Sequence, residues 1–281
     1  MADGPESVHA ILNTRARGLR EPAAVAALRR ALGPAVVSHA TRDLEDLDRA
    51  AVAIARSGAS TVVLAGGDGT FMAGTSAIAR RATGVLPALA LVPAGTVGRL
   101  ARTLGIGGRA TVLASRYAAE GGAAHTITQP SLRVRSTGAD GAAVERIGFI
   151  FGTGLVARFF DVYEERGAGG VADAARIVAH TFASSLKGGD FAKRVLDPLP
   201  CRLEVDGTAL APEAWSLVCA AVVRDLGLGM RVTYRAGEDP DRVHLVAHAL
   251  PPKVLGPRVG RVLLGRTIAN EGEGGYDDLA K

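Results

Sequence analysis

Two short glycine-bearing stretches hold the residue types that chemistry would need. The first is Gly66-Gly67-Asp68-Gly69-Thr70, a carboxylate set among glycines; the second is Pro93-Ala94-Gly95-Thr96. Glycine lets a backbone come close to a ligand and tolerates positive φ. A Gly-rich turn that opens a helix offers N–H groups and the positive helix end, a combination that favours phosphate. Asp68 could accept a proton from an attacking hydroxyl or hold a metal bound to phosphate, and Thr70 could cap the next helix and touch phosphate. A tight turn with Asp as a turn residue is the simpler reading. Two adjacent glycines and Asp-Gly-Thr straight after an apolar run are more than such a turn needs.

The elements around these stretches must bring them together. Each follows an apolar run, Thr61–Ala65 and Ala88–Val92, and each leads into a helical pattern. Two such runs joined by a helix read as a right-handed βαβ unit with parallel strands. Both turns then lie at the carboxyl ends of their strands and, if the strands are neighbours, share one crevice. Upstream, Val8–Leu12 reads as a strand that ends at Asn13 and the basic loop Thr14-Arg15-Ala16-Arg17-Gly18-Leu19-Arg20. Pro22 opens a helix to Leu32, the expected place for a proline. A strand over Ala35–His39 follows. Thr41 or Asp43 can then cap a helix to Arg56 with Leu44, Leu47, Ala51 and Ile54 on one face. A helix over Arg109–Glu120 closes an alternating β-α order, that of a doubly wound α/β domain at 1–122.

Beyond Gly121–Gly122 the pattern turns strand-rich, which assigns a β-rich, sandwich-like domain with a helical insertion to 123–281. Strands are expected over Thr126–Arg135, Ala143–Phe151, Cys201–Val205, Trp215–Val223, Met230–Tyr234 and Val243–Ala249, and helices over Leu155–Glu165 and Val171–Leu186. The last twelve residues, acidic and Gly-rich, read as a frayed tail.

Composition narrows the function classes. Hydrophobic residues make up 48% of the 281, enough for a proper core. The formal charge of +5 fits an anionic partner. No basic run is interleaved with aromatics, so nucleic acid is not the expected partner. The two cysteines lack metal or disulfide spacing and fit a reduced, cytoplasmic setting. The N-terminus does not read as a signal peptide, and no apolar run is long enough for a membrane span. Pairing into a homodimer is left open.

Weaker signals have plain explanations. Gly167-x-Gly169-x-x-Ala172 follows charged residues rather than an apolar strand, so it reads as a helix break. His244 and His248 lack a third ligand. Glu238–Asp241 reads as a turn, and Ser184–Ser185 has no nucleophile-elbow context. Phe159, Phe160, Val162 and Tyr163 could line a lipid pocket, with helix core as the default.

The series GGDGT, P-x-G-T and A-R-x-L-G (Ala101, Arg102, Leu104, Gly105) resembles the diacylglycerol kinase catalytic family, which includes sphingosine kinases and bacterial lipid kinases. It is more distantly similar to NAD kinases. Asn13 resembles the start of that family's first loop, with Thr14 in place of the usual proline. Gly152–Ala157 and Leu203–Gly207 resemble second-domain segments. The resemblance implies transfer of the γ-phosphoryl of ATP to a lipid hydroxyl with Mg²⁺, by positioning and charge stabilisation. It places Asp68 at the transfer site and the nucleotide on Asn13, Gly66, Gly67, Gly69, Thr70, Gly95 and Thr96. A lipid substrate, met at a membrane surface, would enter between the domains.

The chain also departs from the family pattern. Phe71, Met72 and Ala73 stand where the family has a hydrophobic residue and Asn-Glu, and Val97, Gly98 and Arg99 stand for Gly-Asn-Asp. Glu271-Gly272-Glu273 is a poor match for a C-terminal Asp-Gly-Glu. No metal ligand is assigned. Arg99, at a helix head, is expected to pair with phosphate directly. The expectation is an ATP-dependent lipid kinase-like protein with impaired metal-dependent transfer. The alternatives are a non-catalytic nucleotide- or lipid-binding relative and an NAD kinase-like enzyme.

Overall fold

The computed structural model describes residues 7–95, 99–121, 126–138, 140–167, 171–226, 230–266 and 275–281. Contacts divide the chain into two compact units, residues 1–129 with 133–148 and residues 130–132 with 149–281.

The first unit is built on a parallel sheet of β1 (Val8–Asn13), β2 (Val37–Thr41), β3 (Thr61–Gly66) and β4 (Ala88–Pro93), in the order β2-β1-β3-β4. β3 is buried along its whole length. That is the expected state of a central parallel strand covered on both faces, and it explains its unbroken apolar run. Helices α1 (Pro22–Leu32) and α5 (Ala110–Glu120) pack together, as do α2 (Leu44–Ser57) and α3 (Asp68–Arg81); the short α4 is Arg99–Thr103. Leu12, Leu28, Val63, Val92, Leu113 and Tyr117 share one core cluster, which joins α1 and α5 to the sheet. The local signals act as expected. Pro22 stands in the first turn of α1. Asp43 caps α2 by accepting from the Asp46 N–H, and Gly58 ends that helix at φ +65°. On α3, Gly74 lies against Leu64, where an added Cβ would come within 2.9 Å of the leucine side chain.

The hairpin of β5 (Leu132–Thr137) and β6 (Ala143–Gly148) differs from the expected division at residue 122. Residues 133–148 belong to the first unit. The hairpin packs against α3, and one buried side chain of that helix ties it there. Ser76 Oγ donates to the Ile147 carbonyl (3.0 Å) and accepts from the Ile147 N–H (2.8 Å). Both backbone groups of Ile147 are thereby satisfied.

In the second unit β7 (Ile150–Gly154) leads into α6 (Leu155–Glu165), α7 (Val171–Leu186) and α8 (Asp190–Leu196). Short pairs follow: β8 (Leu199–Pro200), β9 (Glu204–Val205), β10 (Thr208–Ala209) and β11 (Ala214–Trp215). Then come β12 (Leu217–Ala221), β13 (Val243–His248), α9 (Pro252–Leu255), α10 (Val259–Leu263) and β14 (Tyr276–Ala280). An antiparallel sheet, ordered β14-β13-β12-β7, forms the centre. Leu217, Cys219 and Val246 face a cluster with Leu155, Phe159, Ile177 and Val195 of the helices. Val218, Leu245 and Ala247 face Val205 and Trp215.

Several expectations for this unit change. Within the expected frayed tail, Tyr276–Ala280 instead form β14, which pairs with β13, with Val246 opposite Asp277; residues 270–274 lie outside the described residues. Met230–Tyr234 is not a strand, because the Arg231 N–H bonds to the Leu263 carbonyl of α10 instead of to a neighbouring strand. The strand expected from Thr126 begins at Leu132, and the one expected from Cys201 shrinks to Glu204–Val205. The two second-domain segments noted in the sequence are turns with steric reasons. Gly154 sits at φ +63° where β7 becomes α6, and an added Cβ would overlap the Ser216 carbonyl. Asp206 and Gly207, at φ +50° and +80°, form the two-residue turn between β9 and β10.

Candidate functional site

The order β2-β1-β3-β4 reverses direction between β1 and β3, and ligands of doubly wound sheets sit beyond the carboxyl ends of strands at such a point. Register brings the relevant residues there. Gly66 lies opposite Pro93, Leu12 opposite Ala65, and Asn13 opposite Thr41.

The loops beyond these ends touch. The Ala94 N–H donates to the Gly66 carbonyl at 2.8 Å. A Cβ on Gly95 would stand 2.5 Å from the Gly67 Cα and 3.1 Å from its nitrogen, so only glycine permits this approach. The loop after β1 joins them: the Gly18 N–H donates to the Ala94 carbonyl at 2.8 Å, and a Gly18 Cβ would lie at the same distance from that oxygen. The sequence reading noted the arginines of this loop but missed Gly18 as a point of close approach. A lone glycine within a basic loop was the only signal available.

Side chains complete the cradle. Asn13 Nδ2 donates to Thr70 Oγ1 at 2.7 Å, and Asn13 Oδ1 accepts from the Arg15 N–H at 2.9 Å. Gly67 is the N-cap of α3 and supplies no side-chain acceptor to the first turn. Its carbonyl accepts from the N–H groups of Thr70 and Phe71. Asp68 and Gly69 open the helix, with Gly69 exposed and nothing within 4 Å of its added Cβ. Asp68 Oδ1 accepts from the Leu100 N–H at 3.0 Å, which ties the start of α3 to the start of α4.

The structure thus brings together Asn13, Gly66, Gly67, Asp68, Gly69, Thr70 and Gly95. Thr96 lies outside the described residues, as do Val97 and Gly98; Arg99 opens α4, but its side chain is outside them too. Glu271–Glu273 and Gly169 are also outside.

The cradle suits an anion better than a protein-built cation site. Mg²⁺ is held by carboxylates together with substrate phosphates and waters. Asp68 is the carboxylate at this cradle, and one of its oxygens is engaged by Leu100. Among the described residues no group of three or more His, Cys, Asp and Glu could hold a metal. The described donor set therefore does not fit a Mg²⁺ site.

The remaining candidates are structural. His244 and His248 are buried on β13, and His244 Nε2 meets Asp277 Oδ1 at 2.8 Å. Ser184 Oγ accepts from the Ala192 N–H, and Ser185 is buried with its Oγ donating to the Phe182 carbonyl. Gly167 at φ +59° follows the end of α6 as a helix break. Phe159 belongs to the core. Among the described residues no helix is long and apolar enough to cross a membrane.

Sheet order and glycine turns define the class as a doubly wound α/β domain with its loop cradle at the switch point. Residues 7–128 match the diacylglycerol kinase catalytic domain. The whole chain shares its fold with three structures from Bacillus anthracis str. Sterne. One, described as a diacylglycerol kinase, is 17% identical with a TM-score of 0.61, over 98% of this chain and 84% of that one. The others have TM-scores of 0.64 and 0.66 at 17% and 18% identity; they cover 100% and 98% of this chain and 85% and 84% of theirs. No curated protein matches the chain by sequence.

Proposed function

We propose that the chain binds ATP at this cradle and acts as a lipid kinase-like phosphotransferase, moving the γ-phosphoryl group to a lipid hydroxyl. The observation that carries the reading is the clasp of Gly67 and Gly95, which sets the head of α3 at the switch point beside Asn13 and Thr70. Backbone N–H groups at such a helix head are suited to a polyphosphate. The proposed nucleotide contacts are Asn13, Gly66, Gly67, Gly69, Thr70 and Gly95, with Thr96 and Arg99 beside them. Asp68 is proposed at the transfer site, one oxygen holding α4 in place. The match of residues 7–128 to the kinase domain supports the same reading.

A non-catalytic relative is the second reading. It is favoured by Met72 and Ala73 following the glycine turn and by the engagement of Asp68 with Leu100. One experiment separates the two: incubation with γ-labelled ATP and vesicles containing diacylglycerol, beside direct titration with ATP. Labelled lipid supports the kinase. ATP binding without labelled lipid supports the nucleotide-binding relative, and absence of ATP binding refutes both the kinase and that relative.

A further inference from the structure

We propose that Arg15 and Arg17 supply the counter-charge for a bound polyphosphate, in the place a protein-held Mg²⁺ would take. The inference rests on the nucleotide reading above and deepens it. Two independent observations carry it. The first is the poor fit of the donor set to a cation, with Asp68 engaged at Leu100. The second is how the basic loop is fixed. Asn13–Arg20 contains Arg15, Arg17 and Arg20 and no acidic residue. The loop does not hang free of the cradle. Asn13 Oδ1 holds the Arg15 N–H, and the Gly18 N–H, next to Arg17, is fixed to the residue before Gly95. Arg15 is thus held to Asn13, whose amide reaches Thr70 of the first turn, and Arg17 precedes the glycine fixed to the second turn, while both arginine side chains are exposed.

Topology concentrates the same charge along this edge. Arg42 follows β2, and Arg102 lies on α4 after β4, both exposed. Asp43, Glu45 and Asp46, the nearest acids after β2, are turned to local duty: Asp43 caps α2, Glu45 pairs with Arg49, and Asp46 accepts from the Arg42 N–H and also pairs with Arg49. Guanidinium groups bind phosphate oxygens through paired, charge-assisted hydrogen bonds. Unlike a metal, they remain in place when the solution is chelated.

The test is ATP titration by calorimetry, in EDTA and in Mg²⁺, on the wild type, Arg15→Gln/Arg17→Gln, Arg15→Lys/Arg17→Lys and the surface control Arg29→Gln on α1. The wild type and the control should bind ATP in EDTA nearly as well as in Mg²⁺. The double glutamine variant should lose about tenfold or more in EDTA, the scale of a lost charge-assisted bond. The lysine variant, which keeps the charge, should recover most of that loss. A merely structural role for the loop would instead lower the melting temperature of both double variants alike. ATP binding that disappears in EDTA, or that the glutamine variant leaves unchanged, overturns this inference and leaves the nucleotide reading standing. Absence of ATP binding in either solution overturns both.

Discussion

Gly95→Ala probes the cradle where its geometry is tightest. The added Cβ would lie 2.5 Å from the Gly67 Cα, about 1 Å inside ordinary carbon–carbon contact. Neither side can yield by a rotamer change, because the Cβ position is fixed by the backbone and the Gly67 Cα is itself backbone. Gly67 is held as the α3 N-cap by the N–H groups of Thr70 and Phe71, and the Ala94 N–H is bonded to Gly66. The turns must therefore separate, at about 1–3 kcal/mol for forced overpacking. For a unit of this size that lowers the melting temperature by roughly 2–4 °C per kcal/mol. Displacing binding groups by about 1 Å should also cost about a hundredfold in any phosphoryl transfer. Gly69→Ala is the matched control, since nothing lies within 4 Å of its added Cβ and alanine suits a helix better than glycine. Thermal unfolding and ATP titration of both variants decide the matter. Gly95→Ala should lose stability and ATP affinity while Gly69→Ala keeps its stability. Equal stability of the two variants would refute the clasp.

Three further perturbations follow from the same structure. Asp68→Ala removes the acceptor of the Leu100 N–H and should cost about 1 kcal/mol in chemical denaturation, whereas Asp68→Asn keeps an acceptor and should restore stability while losing transfer; equal stability of all three proteins contradicts the tie to α4. Asp277→Ala leaves the buried His244 Nε2 without its hydrogen-bond partner and should destabilise the second unit by about 1–3 kcal/mol, read from the fluorescence of Trp215, the chain's single tryptophan, which is buried in that unit; an unchanged transition would mean that β14 is dispensable. Burial holds His9 below the ordinary histidine value, and burial with the neighbouring charge of His9 does the same for His39. Burial also lowers His248, against the opposing pull of Asp277. All three imidazoles are thus favoured neutral in the folded state, so the unfolded chain takes up protons first as the pH falls. Stability should be full above about pH 6.5 and decline below it. A urea midpoint that stays level or rises between pH 7.5 and 5.5 contradicts this, and His39→Gln should flatten the decline.

The first unit was readable because its signals are local. β3 is an unbroken apolar run, Pro22 starts a helix, Asp43 caps one, and glycine turns follow two strands. The expectation that those turns share one crevice rested on the parallel strands of a βαβ unit and on the condition that the two strands are neighbours. What the sequence hid depends on partners far along the chain. Asp68 reads as a chemical group, and its bond to Leu100 spans 32 positions. Ser76 is buried and bonds to a hairpin 71 positions away. β14 was masked by its acids: Asp277 interrupts the apolar pattern, and its reason for being buried, His244, lies 33 positions earlier. The division at Gly121–Gly122 followed a change of pattern, while packing depends on which surface a hairpin can satisfy.

The central claim is that a polyphosphate rests on the loops at the carboxyl ends of β1, β3 and β4. Backbone amide resonances recorded during an ATP titration test it most directly. Saturable shifts centred on Asn13, Gly67, Gly69 and Gly95 are the predicted result. Saturable binding that leaves those amides unmoved and shifts others would contradict it.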